Sequence, residues 1–462
     1  FSEAGRRPLD RFARLAMCQG DATVHGATVE LKVSGKSYDA TTLAPEDAWI
    51  EKLDHVTFKA EVARIGKELA DQQGPADVAH LNKIICWSRL STLIGLATMW
   101  YSINPISIFL LSLGTMTRWT IVAHHVCHGG FDKCSNGVYN RFKFGVGSLA
   151  RRCTDWLDWM LVEAWNVEHN QLHHYCLGEI ADPDLVENNL ASLREDKAGA
   201  FFKYAKVVFF MVTWKFFYYA PNTFKVLSLH ELRRNGKEAT FPADAHPKYA
   251  GKPVPERWLD RPWTIAALVG NSANVFFRRS VFFSRVLGPF FVVRFLLLPG
   301  IAGLLFGQAA YTRSLVSLIL AELLTNAHAF LVVATNHCGD DLYRFEGHAT
   351  PRSPTFFMRQ VVSSVNFATG DGKGGQGHLA DVVDFLQGWL NYQIEHHLWP
   401  DLSMLSYQKA QPLVRDICKR HGVPYVQESV WVRFVKTVSI IGGRSSMRRF
   451  PAQYNSAKDV VS

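Results

Sequence analysis

The sequence predicts an all-α membrane protein with four transmembrane helices in two hairpins and a helical soluble cap that gathers a histidine-rich site. Three observations carry that prediction. Apolar residues concentrate in runs of ~20, long enough as helices to cross a ~30 Å hydrocarbon core. The runs come in pairs joined by turn signals, and the second run of each pair leads into histidine. A content of 48% hydrophobic and 13% aromatic residues over 462 positions is high for a chain wholly in water.

Residues 1–80 read as a soluble N-terminal extension, with the strand-like TVHGATVELKV and a charged, helix-like run from Glu46 to Ala70. The stretch VSGKSYDATTLAP resembles the start of a cytochrome b5 domain, but the haem-binding H-P-G-G is absent, which excludes one. A membrane domain is expected over 81–425. Its first span, about 84–103, is stopped by Asn104-Pro105. The second, about 105–123, carries the chain back and delivers it into HHVCH. Residues 201–224, aromatic with spaced lysines, suit a helix lying in the membrane interface. Residues 237–262, rich in proline and charge, read as a surface loop or linker. A second pair of spans, about 282–307 and 314–336, ends at His337, so both hairpins place a histidine end on the same face as the soluble segments. Residues 426–462 form a basic C-terminal tail, and its RSSMRR run is expected to face solvent or lipid headgroups.

The net charge of +9 comes without any nucleic-acid-binding module, so membrane lipids or an acidic protein partner are the expected counterparts and nucleic acid is not. The eight cysteines form no C-x-x-C pair, and disulfides are not expected. The chain starts at Phe1, and the Arg-rich RRPLDRFAR has the composition of an import segment. A multi-pass protein of an organelle membrane, mitochondrial inner or plastid, is therefore favoured over one of the endoplasmic reticulum. GDGKGGQG contains G-x-G-x-x-G without a strand-turn-helix context and reads as a loop.

Of the 18 histidines, nine fall in four tight groups: His124, His125 and His128; His169, His173 and His174; His337; His396 and His397. Scatter does not produce this. On an α-helix, positions i and i+4 share a face, so His124 with His128, or His169 with His173, converge on one ion while His174 turns ~100° away towards a second. His125 points elsewhere than its neighbours and is expected to support ligands rather than be one. Gln393, four before His397, is a weak ligand or a hydrogen bonder. Eight imidazoles exceed the four ligands of a tetrahedral zinc, which makes two metals with open positions the economical count. The carboxylate kind of di-iron site needs Glu-x-x-His, and no E-x-x-H occurs in the chain. His328, within the fourth span near Glu322 and Asn326, must face the protein interior.

The three boxes HHVCH, HNQLHH and QIEHH resemble, in kind and order, those of the membrane fatty acid desaturases. NYQIEHHLWPDLSMLSYQKAQPLVRDICKRHGVPY, with Gln at the start of the third box, is similar to the front-end acyl desaturase branch, as is ADPD after the second box. The likeness covers roughly residues 80–425. It implies two Fe ions (a di-iron centre), O2, and oxidation of an acyl C–H bond. It also implies His124, His128, His169, His173, His174, His337, His396 and His397 as catalytic metal ligands. Asp182 and Asp184 would fix imidazole tautomers, with His125 and Gln393 nearby; Glu168 and Glu395, each preceding a ligand, are further candidates for that task. His125 stands where the family often has Asp, and the b5 domain common in front-end members is missing.

The function implied is that of an acyl-lipid desaturase taking two electrons per turnover from a separate carrier of the ferredoxin or cytochrome b5 type. Two alternatives follow from the same boxes. One is a membrane fatty acyl hydroxylase using the same irons. The other is a desaturase-like structural subunit of a larger membrane complex.

Overall fold

The computed structural model describes residues 43–237, 239–241, 247–248, 250–254, 263–266, 279–368, 378–455 and 458–461. The strand-like and Arg-rich stretches within 1–42, much of the Pro-rich loop 237–262 and the glycine loop 370–377 lie outside the described residues. The chain divides into two units, 1–51 and 52–462. In the first, a 3₁₀ turn, Pro45–Asp47, leads into the short helix that begins at Trp49.

The second unit is mostly helical. Helix α1 (His55–Asp71) starts where Asp54 accepts from the amides of Val56 and Thr57 at 3.0 and 3.1 Å, satisfying donors that a helix start leaves open. Helix α2 (Pro75–Thr98) has proline in its first turn, where a missing amide costs nothing. Helix α3 (Pro105–His128) is capped by Asn104, whose Oδ1 accepts from Ser107 N at 2.8 Å. The two pack closely and in opposite directions: Thr98 meets Ser107 at 2.6 Å and Ser88 donates to the Gly114 carbonyl at 3.1 Å. A Cβ on Gly114 would lie 2.1 Å from Thr92 Oγ1, so only glycine permits this approach.

Further on come α4 (Val162–Trp165, continued by the π-helical stretch Asn166–His173), α5 (Ala200–Trp214) and α6 (Ala220–Arg234), the last two joined by the π turn Lys215–Tyr219. Helices α7 (Phe282–Phe306) and α8 (Gln308–His337) pack on each other, and α8 also packs on α3 and α5. Then follow α9 (Pro354–Val362), α10 (His378–Leu386), α11 (Gln393–Leu398), α12 (Met404–His421) and α13 (Val430–Ile441). Pairs of two-residue strands, including Tyr343–Arg344 beside Arg448–Arg449, tie the later loops to the C-terminal segment.

Among the described residues, three helices are long and apolar enough to cross a membrane: α3, α7 and α8. Helix α2, expected as a span over 84–103, begins earlier, ends at Thr98, and carries Lys83 and Arg89; it is not one of the three. Several polar residues of the candidate spans are partnered inside the protein, although Ser314 and Ser317 of α8 bury hydroxyls without a hydrogen-bond partner among the described residues. Glu322 of α8 pairs with Arg294 of α7 at 3.3 Å and accepts from Trp159 at 2.8 Å, while Asn326 accepts from Lys215 N at 2.9 Å. Lys215 itself, wholly buried, reaches Asp158 at 2.9 Å. His328 bonds the Leu386 carbonyl at 2.7 Å, a structural contact between α8 and α10. The aromatic run 201–224 divides accordingly: Phe201, Phe202 and Phe209 are exposed, whereas from Lys215 onward its side chains are largely covered by protein.

Candidate metal centre

Four segments bring the histidine groups together. Helix α3 passes through a π turn, Arg118–Ala123, before presenting His124, His125 and His128, and ends at once because Gly129 takes φ 89°. The π stretch of α4 presents His169, His173 and His174. The 3₁₀ end of α8, Ala334–His337, presents His337, and α11 presents His396 and His397. All are buried.

The side chains sort into two neighbouring sets. Ligand nitrogens of His124, His128, His169, His174 and His396 lie within 4.8 Å of one another, and so do those of His173, His337 and His397. The sets touch where the His174 and His397 rings stack at 4.2 Å. The expectation that His169 and His173 share one ion while His174 serves the other came from α-helical spacing, and the backbone here is not α-helical. In a π turn the repeat is i to i+5: His174 N donates to His169 O at 3.2 Å, which puts those two rings in the same set and sends His173 to the other. On their outer side, His169 and His173 form a third cluster with Asp184, whose carboxylate lies 3.9 and 3.8 Å from their Nδ1 atoms.

The donor set fits a pair of cations. His337 Nδ1 meets the Ser363 carbonyl at 3.0 Å and His397 Nδ1 meets Gln360 Oε1 at 3.3 Å; a carbonyl only accepts, so each ring carries its proton on Nδ1. Their Nε2 atoms then face each other as lone pairs at 3.1 Å, an arrangement a bound cation makes favourable. His124 repeats the pattern, with Nδ1 on the Thr120 carbonyl at 3.1 Å and Nε2 towards His169 Nε2 at 3.0 Å. His396 holds Nδ1 at Tyr407 Oη, 3.3 Å, and turns Nε2 to His174 Nε2 at 3.2 Å. His128 Nε2 is buried with no protein partner.

The surroundings set the charge. Burial, and then the neighbouring imidazoles, hold His169, His174, His396 and His397 well below the usual histidine range, keeping them neutral as metal ligands must be. His173 is the exception: burial opposes its charge, but Asp182, 2.8 Å from its Nδ1, together with Asp184 raises it. Asp182 in turn accepts from the Gly178 and Asp184 amides at 3.0 and 2.9 Å, which fixes it.

The other expected supports are placed as follows. Gln393 lies 3.0 Å from His337 Nε2 and 3.3 Å from His397 Nε2. His125 turns away and bonds the Ile121 carbonyl at 2.7 Å. Glu168 and Glu395 make no direct bond to the rings; Glu168 reaches them through a hydrogen bond with Asp184. Glu168 accepts from Tyr219 at 3.0 Å and is pushed well above the usual carboxylate range by burial and by Asp184. Glu395 accepts from Asn366 and Tyr425, both at 2.8 Å, and burial pushes it up to about 7. Gln360, Ser363 and Tyr407 were not anticipated; they stand 26 to 37 residues from the rings they hold, or on a different helix, and carry no local signal.

A cavity of about 140 Å³ opens beside the two sets, lined by His124, His169, His173 and His337 at one side and otherwise by aromatic and aliphatic side chains such as Trp119, Trp214, Phe210, Phe330 and Val333. Asp184, Asn189 and Tyr218 are among its few polar walls.

The fatty acid desaturase family model matches residues 103–429, which include both histidine sets. Among curated proteins, the chain is similar to an NADPH-dependent stearoyl-CoA 9-desaturase of Mycobacterium tuberculosis, at 29% identity over 28% of each chain. It is similar to a chloroplastic acyl-lipid (7-3)-desaturase of Chlamydomonas reinhardtii, at 28% identity over 39% of this chain and 33% of that one. A delta(8)-fatty-acid desaturase of Arabidopsis thaliana matches at 27% identity over 24% of each. The matched stretches thus span a third or less of these relatives' own lengths. No solved structure matches the chain significantly.

Proposed function

The chain belongs to the fatty acid desaturase family, and from that premise we propose that it introduces a double bond into the acyl chain of a membrane lipid, with two iron ions and O2. The observation that carries this reading is the meeting of convergent, deprotonated imidazole nitrogens with an apolar cavity. His124, His128, His169, His174 and His396 would hold one iron, and His173, His337 and His397 the other, with Gln393 beside them. When bound, the irons supply the O2 chemistry that opens an alkyl C–H bond, which no acid or base side chain can do.

The protein's own groups do the rest. Trp119, Trp214, Phe210 and Phe330 exclude water and confine an extended hydrocarbon chain against the histidines. Ser363, Gln360, Tyr407, Thr120 and Asp182 hold the Nδ1 protons, so that Nε2 stays a lone pair directed inward. In the membrane, α2 would complete two hairpins by pairing with α3 as α7 pairs with α8. Electrons would come from a separate carrier of the ferredoxin or cytochrome b5 type, drawn to a basic cap, and the membrane would be that of an organelle.

The test is direct. The purified chain should carry about two irons, as two clusters of neutral imidazoles require, and with O2 and a reducing partner it should yield an acyl product two hydrogens lighter by mass spectrometry. Zinc in place of iron would sink the proposal. A product heavier by one oxygen would reassign the same centre to hydroxylation.

A further inference from the structure

We propose that α13 lies in the membrane–water interface, with its outer face seated in lipid on the side of the membrane that receives the histidine ends of α3 and α8. The helix is amphipathic in the opposite sense to one on a body surrounded by water. Trp431 and Val435, one turn apart on the same face, are 66% and 67% exposed, and Val432 is 45% exposed. Arg433 and Thr437 are wholly buried. Arg433 is drawn inward by Asp341 at 2.7 Å, Glu428 at 3.1 Å and the Cys338 carbonyl at 3.0 Å, and Lys436 reaches the same two carboxylates. The charges of α13 are thus turned to protein, and an indole and two valines are turned out.

Scattered exposed apolar residues are ordinary on any protein. Continuity with a membrane-length helix makes these different. Helix α13 packs against the last turn of α8, and its Ile441 shares a cluster with Leu193, Val207 of α5 and Phe330 of α8. Helix α5 carries the exposed Phe201, Phe202, Val208 and Phe209. The exposed apolar residues of α5 and α13 thus belong to helices that share one buried cluster with α8. Beside α5 the exposed Arg444 lies 5.2 Å over the Tyr204 ring, a cation that complements anionic headgroups, whereas Lys206 on α5 is paired with Asp196. An aromatic, apolar face bordered by basic residues is the composition of a helix lying in an interface. The inference rests on the membrane embedding proposed above and is independent of metal and reaction.

The test uses nitroxide labels on single accessible cysteines in the whole chain, with Cys18, Cys86, Cys134 and Cys153 replaced by serine and the buried Cys127, Cys176, Cys338 and Cys418 kept, in nanodiscs of phosphatidylcholine with phosphatidylglycerol. Val435→Cys reports α13, and Trp431→Cys repeats the measurement should the first variant misfold. Leu297→Cys, exposed on α7, is the lipid reference, and Lys419→Cys on α12 is the aqueous one. Collision with O2 should exceed collision with a water-soluble nickel chelate at 435 and 297, and the order should reverse at 419. A chelate-accessible label at 435 beside a lipid-accessible one at 297 overturns this proposal alone. Loss of lipid contact at 297 overturns the embedding as well. Low accessibility to both reagents with spin–spin broadening would assign the face to a second copy of the chain and equally overturn it.

Discussion

The two histidine sets are built on different principles. The larger set takes its five rings from three segments and is held by neutral acceptors, a main-chain carbonyl for His124 and a phenol oxygen for His396. The smaller set has three rings, an amide beside it in Gln393, and a buried carboxylate, Asp182, behind His173. One set is rich in ligands, with Asp184 no nearer than 3.9 Å to its His169; the other is poor in ligands and backed by Asp182 at 2.8 Å from His173. The difference teaches that two neighbouring histidine sets need not hold metal equally well, and that under the proposed function the smaller set is where the centre should first give way.

The largest effect is expected from deleting a ring in each set. His397→Ala leaves two imidazoles and should abolish both desaturation and the second metal equivalent, whereas His128→Ala leaves four of five and should retain most of the bound metal. Metal analysis of the two variants checks this, and equal losses would break the comparison. Acidification should separate the sets in the same order. A metal competes with a proton for each ring, so a ring whose proton affinity is raised is lost first as pH falls. His173 is raised by Asp182, while His169, His174 and His396 are held well below the usual histidine range. As pH falls, the smaller set should therefore release its metal before the larger, through His173 and not through His397, which is lowered like the rings of the larger set. Asp182→Asn keeps an acceptor for His173 Nδ1 but removes the charge, and should cost ~10–100-fold in metal affinity at that set, the usual effect of losing such a partner.

Much of this centre was legible in the sequence because its ligands come in local groups. The eight histidines named from their clustering are the eight that the fold brings into the two sets. Their division between the sets was not legible, because the spacing argument assumed 3.6 residues per turn where Asn166–His173 winds as a π-helix. Neighbourhood in sequence places Glu168 and Glu395 beside ligands, yet on a helix the preceding residue points ~100° away: Glu168 meets Tyr219 and reaches the rings only through Asp184, and Glu395 meets Asn366. The apolar runs marked α3, α7 and α8 correctly as membrane-length helices. What turns α13 inside out is a salt bridge from Arg433 to Asp341, 92 residues away, and no local pattern announces it.

The smallest effect is expected at Tyr407, and it tests whether the larger set is as independent of its supports as its ring count suggests. The Tyr407 hydroxyl donates to the Trp399 carbonyl at 2.9 Å, which leaves an oxygen lone pair free to accept from His396 Nδ1 at 3.3 Å. Tyr407→Phe removes that acceptor without altering the ring, so His396 loses one neutral hydrogen bond worth ~0.5–1.5 kcal/mol and keeps its place in α11. With four other imidazoles sharing the ion, metal affinity of the larger set should fall by no more than about tenfold. Iron content at saturation should not change. The measurement is a competitive chelator titration of Tyr407→Phe beside Asp182→Asn. A larger loss for Tyr407→Phe would mean that the tautomer of a single ring, and not the number of rings, limits the set with five.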